Sequence, residues 1–216
     1  MISGIRSLEA PSEQLIIGWT GDIQNADQPD ATVPLSSVSE EDRLALEKSL
    51  QTYQPQEADP DERKTTYIPV WVDKKEAHGH YEGYCKESTF FVYPLSHVAS
   101  IRGSILTSIS RTALWPLFHY LLWQDVATEY ASADKYWAPY AAVNAIFAKR
   151  IAEIYQPGDL VWVHDYHLLL VPKLLRQLAP EAVIGLFVHT PWPSSEVFRC
   201  LPRQSDPLSL MLFGQS

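Results

Sequence analysis

The chain has 216 residues, 46% of them hydrophobic and 20% charged, which is enough apolar material for one domain core and too much for a disordered polymer. Its net charge of −9 argues against a nucleic-acid groove, which needs a basic face, but not against a small phosphorylated ligand held by a few local cations. No apolar run is long enough to span a membrane. Residues 1–11 lack the basic start and apolar run of a signal peptide. Cys85 and Cys200 stand far apart without zinc-knuckle spacing, so a metal or disulfide framework is not expected and a reducing, cytoplasmic setting is.

In chain order, Leu15-Ile16-Ile17-Gly18-Trp19 predicts a buried strand ending in a glycine turn. Ser39-Glu40-Glu41-Asp42 is a capping signature, and Leu44, Leu46 and Leu50 follow at roughly helical spacing, predicting a helix over 37–51. Residues 54–64 read as a Pro- and charge-rich loop, and Tyr67 to Val72 as a second strand. Residues 79–84 form a glycine–aromatic loop that could wall a sugar or be only a loop. Residues 87–111 stand apart: Ser-rich, with Glu87, Arg102 and Arg111 as their only formal charges and no steady period. Residues 112–123 and 134–155 predict helices, the second with Ala141, Ala142, Ala145, Ile146, Ala148, Ile151 and Ala152 on its apolar faces. Gln156-Pro157-Gly158-Asp159 stops it.

The clearest architecture comes next. Leu160 to Val163 is an apolar strand, 168–177 a helix, Ala182 to Val188 another apolar strand, and Ser194-Ser195-Glu196 caps a further helix. Strand–helix–strand–helix predicts an α/β fold with a parallel sheet buried on both faces. Ligands of such sheets bind beyond the carboxyl ends of the strands. Here both strands run into histidine, His164 before Asp165 and His189 itself, so the topology alone sets Asp165 and His189 side by side on one rim. Capping is the structural alternative. Metal binding by His164, Asp165, His167 and His189 has the right residue types. Yet adjacent strand residues point to opposite faces, and mixed donors and acceptors suit sugar hydroxyls better. Lys173 and Arg176, one turn apart, read as a solvated face rather than a phosphate clamp, and the cysteines as packing residues.

Five segments in this order, Gly18-Trp19-Thr20-Gly21, residues 80–86, residues 114–120, residues 161–172 and residues 187–196, resemble the trehalose-6-phosphate synthase family, glycosyltransferase family 20. The variants at 77–86 and 114–123 are similar to its fungal branch, in particular to the synthase-like region of trehalose-phosphate phosphatase and of regulatory subunits. The resemblance implies a Rossmann-like parallel sheet with flanking helices, the incomplete N-terminal half of a GT-B fold. It also implies metal-free, cofactor-free, retaining transfer of glucose from UDP-glucose to glucose-6-phosphate in trehalose biosynthesis. Carried over by motif, Trp19, Tyr81 and Trp115 would line the acceptor pocket, Asp165 would accept hydrogen bonds from acceptor hydroxyls, and His189 would lie against the donor glucose, making Asp165 and His189 the catalytic pair. The partners implied are the two sugar substrates and subunits of a trehalose synthase complex, with no nucleic acid and no membrane.

Three departures qualify that resemblance. The family opens on a strand with a Ser-Asn-Arg-Leu-Pro-like motif whose Arg helps bind the acceptor phosphate, and this chain is expected to begin after it. Tyr81 and Trp115 are farther apart than in the family pattern, by an excess matching residues 87–111. Removing those residues joins Lys86 to Thr112 and restores the pattern, so they read as translated intron or as a lineage-specific insertion. The resemblance fades near Arg203. The expected organisation is therefore an acceptor-side domain over 1–204 with an anomalous insert at 87–111, a tail at 205–216 outside the family pattern, and no donor-binding domain. No glucosyl transfer is expected from the chain alone.

Overall fold

The computed structural model describes residues 13–21, 23–24, 32–53, 64–85 and 126–192. The expectations for residues 87–111, 112–123, 194–196 and 205–216, and for Trp115 and Cys200, lie outside them. The chain forms two compact units, Met1–Trp71 and Val72–Ser216.

In the first unit, β1 (Glu13–Trp19) pairs in parallel with β4 (Lys64–Val70), in a register that sets Gly18 opposite Pro69 and Trp19 opposite Val70. Between them lie a short antiparallel pair, β2 (Ile23–Gln24) and β3 (Thr32–Val33), and helix α1 (Glu40–Thr52). β4 starts three residues before the expected strand and ends before Trp71. Its buried segment is Ile68-Pro69-Val70, whereas Leu15 of β1 is exposed, so β1 is not the fully buried strand its sequence suggests. Ser39 caps α1 as expected: its Oγ accepts the Asp42 N–H at 3.1 Å, satisfying one of the helix's unpaired donors. The inward face differs from the leucine reading. Leu44 is 61% exposed, while Arg43, Glu47 and Leu50, spaced four and three apart, form the half-buried side. The guanidinium of Arg43 explains this, donating to the Leu35 carbonyl at 2.8 Å and lying over the Trp71 ring.

In the second unit, α2 (Lys74–His78) runs into a π-helical turn (Gly79–Cys85), where the sequence suggested a loop. Helix α3 (Val126–Ile154) starts eight residues before the predicted Asp134. Its buried face is Tyr140, Val143, Asn144, Phe147, Ala148 and Ile151, an i, i+3, i+4, i+7, i+8, i+11 stripe. Ala145, expected on an apolar face, is exposed. The glycines of the π-helical turn are packing devices: a Cβ at Gly83 would collide with the Tyr136 ring, and one at Gly79 would meet Pro139. After the predicted stop, where Gly158 has φ +102°, β5 (Leu160–His164) pairs in parallel with β6 (Val183–Phe187). Between them come a 3-10 turn (Tyr166–Leu168) and α4 (Val171–Leu178), which starts three residues later than expected.

Burial on both faces does not hold for this pair. Val163 is buried, but Leu160, Trp162, Val183 and Phe187, which share the other face by register, are exposed. No described residue covers them enough to exclude water. Arg176 is neither a free surface cation nor a clamp, since it donates to the carbonyls of Pro180 and Ala182, both at 2.7 Å, and fastens the α4–β6 connection. Cys85 packs as expected, fully buried and reduced. Among the described residues no helix is long and apolar enough to cross a membrane.

Candidate functional site

The β5–β6 pair delivers its polar residues to one end. His164, the last residue of β5, lies opposite Phe187, the last of β6, and the Asp165 N–H continues the ladder by donating to the Phe187 carbonyl at 2.7 Å. Asp165 and His189 therefore leave the same carboxyl-terminal edge, as the topology predicts. The His164 and His189 rings stack with centroids 6.0 Å apart and 18° between planes, and His189 meets the Phe187 edge at 4.8 Å. Trp162 stacks on His164 at 5.3 Å, extending an aromatic row along the exposed face.

Asp165 is buried and has φ 68°, ψ 172°, the one positive φ outside glycine among the described residues. That backbone region belongs essentially to glycine, and holding another residue there costs on the order of 1–3 kcal/mol. Its Oδ1 accepts the Tyr166 N–H at 2.9 Å and caps the 3-10 turn. One carboxyl oxygen is thus committed to the backbone, and the group has a second to offer. The capping alternative and the ligand reading are both compatible with this geometry, since a cap uses one oxygen only.

Two buried polar atoms at the rim, His164 Nδ1 and Thr190 Oγ1, have no hydrogen-bond partner among the described residues, although most buried polar groups are paired. Burial, and then the neighbouring His189 ring, lower the pKa of His164. His164 belongs to the strand-end group that the sequence places here, whereas Thr190 is not among the residues the sequence singles out. The signal for both was their position in line with Asp165 and His189.

His167 departs from that group. Its ring turns inward, stacked on Tyr166 at 4.3 Å and near His80 and Tyr81, and burial pushes its pKa down to about 3. His80 is buried against Tyr140, with its pKa lowered to about 4 by desolvation. Among the described residues no three His, Cys, Asp or Glu side chains are grouped to hold a metal ion. Tyr81 is half-buried on the π-helical turn, its ring 6.0 Å from that of His167. In the first unit, Trp19 ends β1, half-buried, with its Nε1 buried and without a hydrogen-bond partner among the described residues. Trp115 lies outside the described residues.

The parallel strands carry their polar residues to a carboxyl-terminal rim, the place where open α/β sheets commonly hold small ligands. Residues 89–213 match the model of glycosyltransferase family 20, a span that includes most of the segment 87–111 and runs past Arg203. The chain belongs to glycosyltransferase family 20. It is similar to alpha,alpha-trehalose-phosphate synthase A of Dictyostelium discoideum, 39% identical over 141 residues, covering 65% of this chain and 15% of that protein. It is also similar to the trehalose synthase complex regulatory subunit of Saccharomyces cerevisiae, 48% identical over 92 residues, covering 43% of this chain and 9% of that protein. The crystal structure of the Burkholderia multivorans trehalose 6-phosphate synthase aligns with 92% of this chain and 30% of its own, at 27% identity and a TM-score of 0.52. That likeness, with the parallel pairs seen here, gives the chain a mixed α/β architecture with parallel strands that matches the GT-B trehalose-phosphate synthases. The chain spans less than a third of the length of each of these relatives.

Proposed function

We propose that the chain supplies the acceptor-sugar side of a retaining glucosyltransferase of trehalose biosynthesis, as part of a longer enzyme in the cytoplasm. Glucose-6-phosphate would be the acceptor and UDP-glucose the donor. The observation that carries the reading is the arrival of Asp165 and His189 at one strand-end rim, with Asp165 in a backbone conformation that costs stability. Asp165 accepts hydrogen bonds from acceptor hydroxyls and fixes their geometry, while His189 lies against the donor glucose. Retention of configuration then rests on alignment and on dipoles aimed at developing charge. Tyr81, Trp19 and Trp115 are assigned to the acceptor on the family resemblance.

Calorimetric titration of the chain with glucose-6-phosphate tests this. Binding is expected, and Asp165→Ala should weaken it at least ~10-fold, the loss of one to two charge-assisted hydrogen bonds. Binding that is absent, or unaffected by Asp165→Ala, contradicts the assignment. With only a small share of its relatives' length, the chain by itself is expected to release UDP from UDP-glucose at background rate.

A second reading follows from the 48% identity to a regulatory subunit: a non-catalytic module that joins a trehalose synthase complex. A tagged chain that captures synthase subunits but binds no sugar phosphate would favour it. The proposed organisation remains an acceptor-side domain over 1–204 with an insert at 87–111. A spliced transcript lacking those codons supports the translated-intron origin, and abundant protein made from a message that retains them overturns it.

A further inference from the structure

The turn that carries Asp165 is held from outside by buried side chains. The Tyr140 hydroxyl donates to the Tyr166 carbonyl at 2.8 Å and accepts the Leu169 N–H at 3.3 Å. Asn144, one helical turn along α3, donates from Nδ2 to the His167 carbonyl at 3.1 Å and accepts the Leu170 N–H on Oδ1 at 3.0 Å. Its Nδ2 also donates to the Tyr140 carbonyl, which fixes the amide plane. From the π-helical turn, His80 Nε2 lies 2.9 Å from the same His167 carbonyl, and because a carbonyl only accepts, the proton sits on Nε2. Tyr140 and Asn144 are fully buried. Two carbonyls and two amides between residues 166 and 170, irregular backbone with no sheet ladder, thus find their partners on α3 and the π-helical turn. A residue in the conformation of Asp165 persists only where its surroundings over-determine it.

We propose that Tyr140 and Asn144 are positioning residues that lock the 165–170 turn and so hold the Asp165 carboxyl at the rim. For the identity of the ligand this rests on the acceptor-site reading above; for the clamp itself it does not.

The test uses the 216-residue chain, isotopically labelled, with Tyr140→Phe, Asn144→Ala and a control, Ala148→Gly, on the same helix without a bond to the turn. In ligand-free protein, Tyr140→Phe and Asn144→Ala should shift the Asp165 side-chain carboxyl carbon and backbone signals, whereas Ala148→Gly should leave them in place despite a lower melting temperature. In titrations with glucose-6-phosphate, the first two should lose at least ~10-fold in affinity and the control less than twofold. Unchanged Asp165 signals in Tyr140→Phe, or affinities of all three variants that follow their stabilities alone, would overturn the proposal. If the unaltered chain binds no glucose-6-phosphate, the acceptor reading falls, and the ligand-free signals still decide the clamp. Tyr140→Phe removes one atom and keeps the ring, so it carries the test should Asn144→Ala fail to fold.

Discussion

Asp165 pays for its place with backbone strain. The conformation at φ 68°, ψ 172° suits glycine, so Asp165→Gly and Asp165→Ala remove the same carboxyl cap but differ in strain. The glycine variant should be more stable by about 1–2 kcal/mol, read from urea midpoints at equal slope. Equal midpoints would mean that the turn relaxes and stores no strain. The sequence showed which residue type stands at the strand end, and its acid–histidine pairing with His189 was legible from the one-step spacing of the two strands. The strain was not, because a positive φ is announced by glycine and here the residue is aspartate. Nor was the clamp, although Tyr140 and Asn144, two polar residues four apart in an alanine-rich helix, were the trace it left.

At the scale of elements, helix α3 and the π-helical turn work as a pair. The turn approaches the helix through Gly79 and Gly83, which the sequence offers as part of a sugar-walling loop or of a plain loop and which the structure uses as room for Pro139 and Tyr136. Gly83→Ala forces a methyl into the Tyr136 ring and should cost about 1–3 kcal/mol, measured by thermal unfolding; a loss below the error would show that the ring swings aside freely. The inward stripe of α3 was hidden for a similar reason: alanines on every side make all faces look apolar, and only packing selects the one with Tyr140 and Asn144.

Two buried imidazoles add a pH dependence. His80 and His167 face each other, with Tyr81, Tyr140, Tyr166 and Cys85 around them, and both are held neutral, their pKa values lowered by burial to about 4 and about 3. Unfolded, each would take a proton near the ordinary value of 6.5. Their contribution is therefore complete above pH 6.5 and is lost as the pH falls toward the folded values. Between pH 6.5 and 5 each ring accounts for about 2 kcal/mol, at about 1.4 kcal/mol per pH unit. His80→Gln should flatten the fall in unfolding free energy over this window, and a slope unchanged by the substitution would assign it to other groups.

For the whole molecule, the family pattern reached further than physical periodicity. Strand–helix–strand spacing gave the parallel pair β5–β6 and its direction, which that order makes nearly unavoidable, whereas for β1 and β4 it predicted each strand and not their pairing. It did not give exposure: Leu160, Trp162, Val183 and Phe187 look like core in the sequence and lie open on one face, because an apolar run records what a residue can pack against and not whether a layer is there. The proposed function stands on Asp165 and His189 sharing a rim that grips a hexose phosphate. Chemical-shift mapping of the labelled chain titrated with glucose-6-phosphate tests it most directly. Saturable shifts concentrated at residues 164–166 and 188–190 are expected. Shifts scattered elsewhere, or none at millimolar sugar, would contradict it.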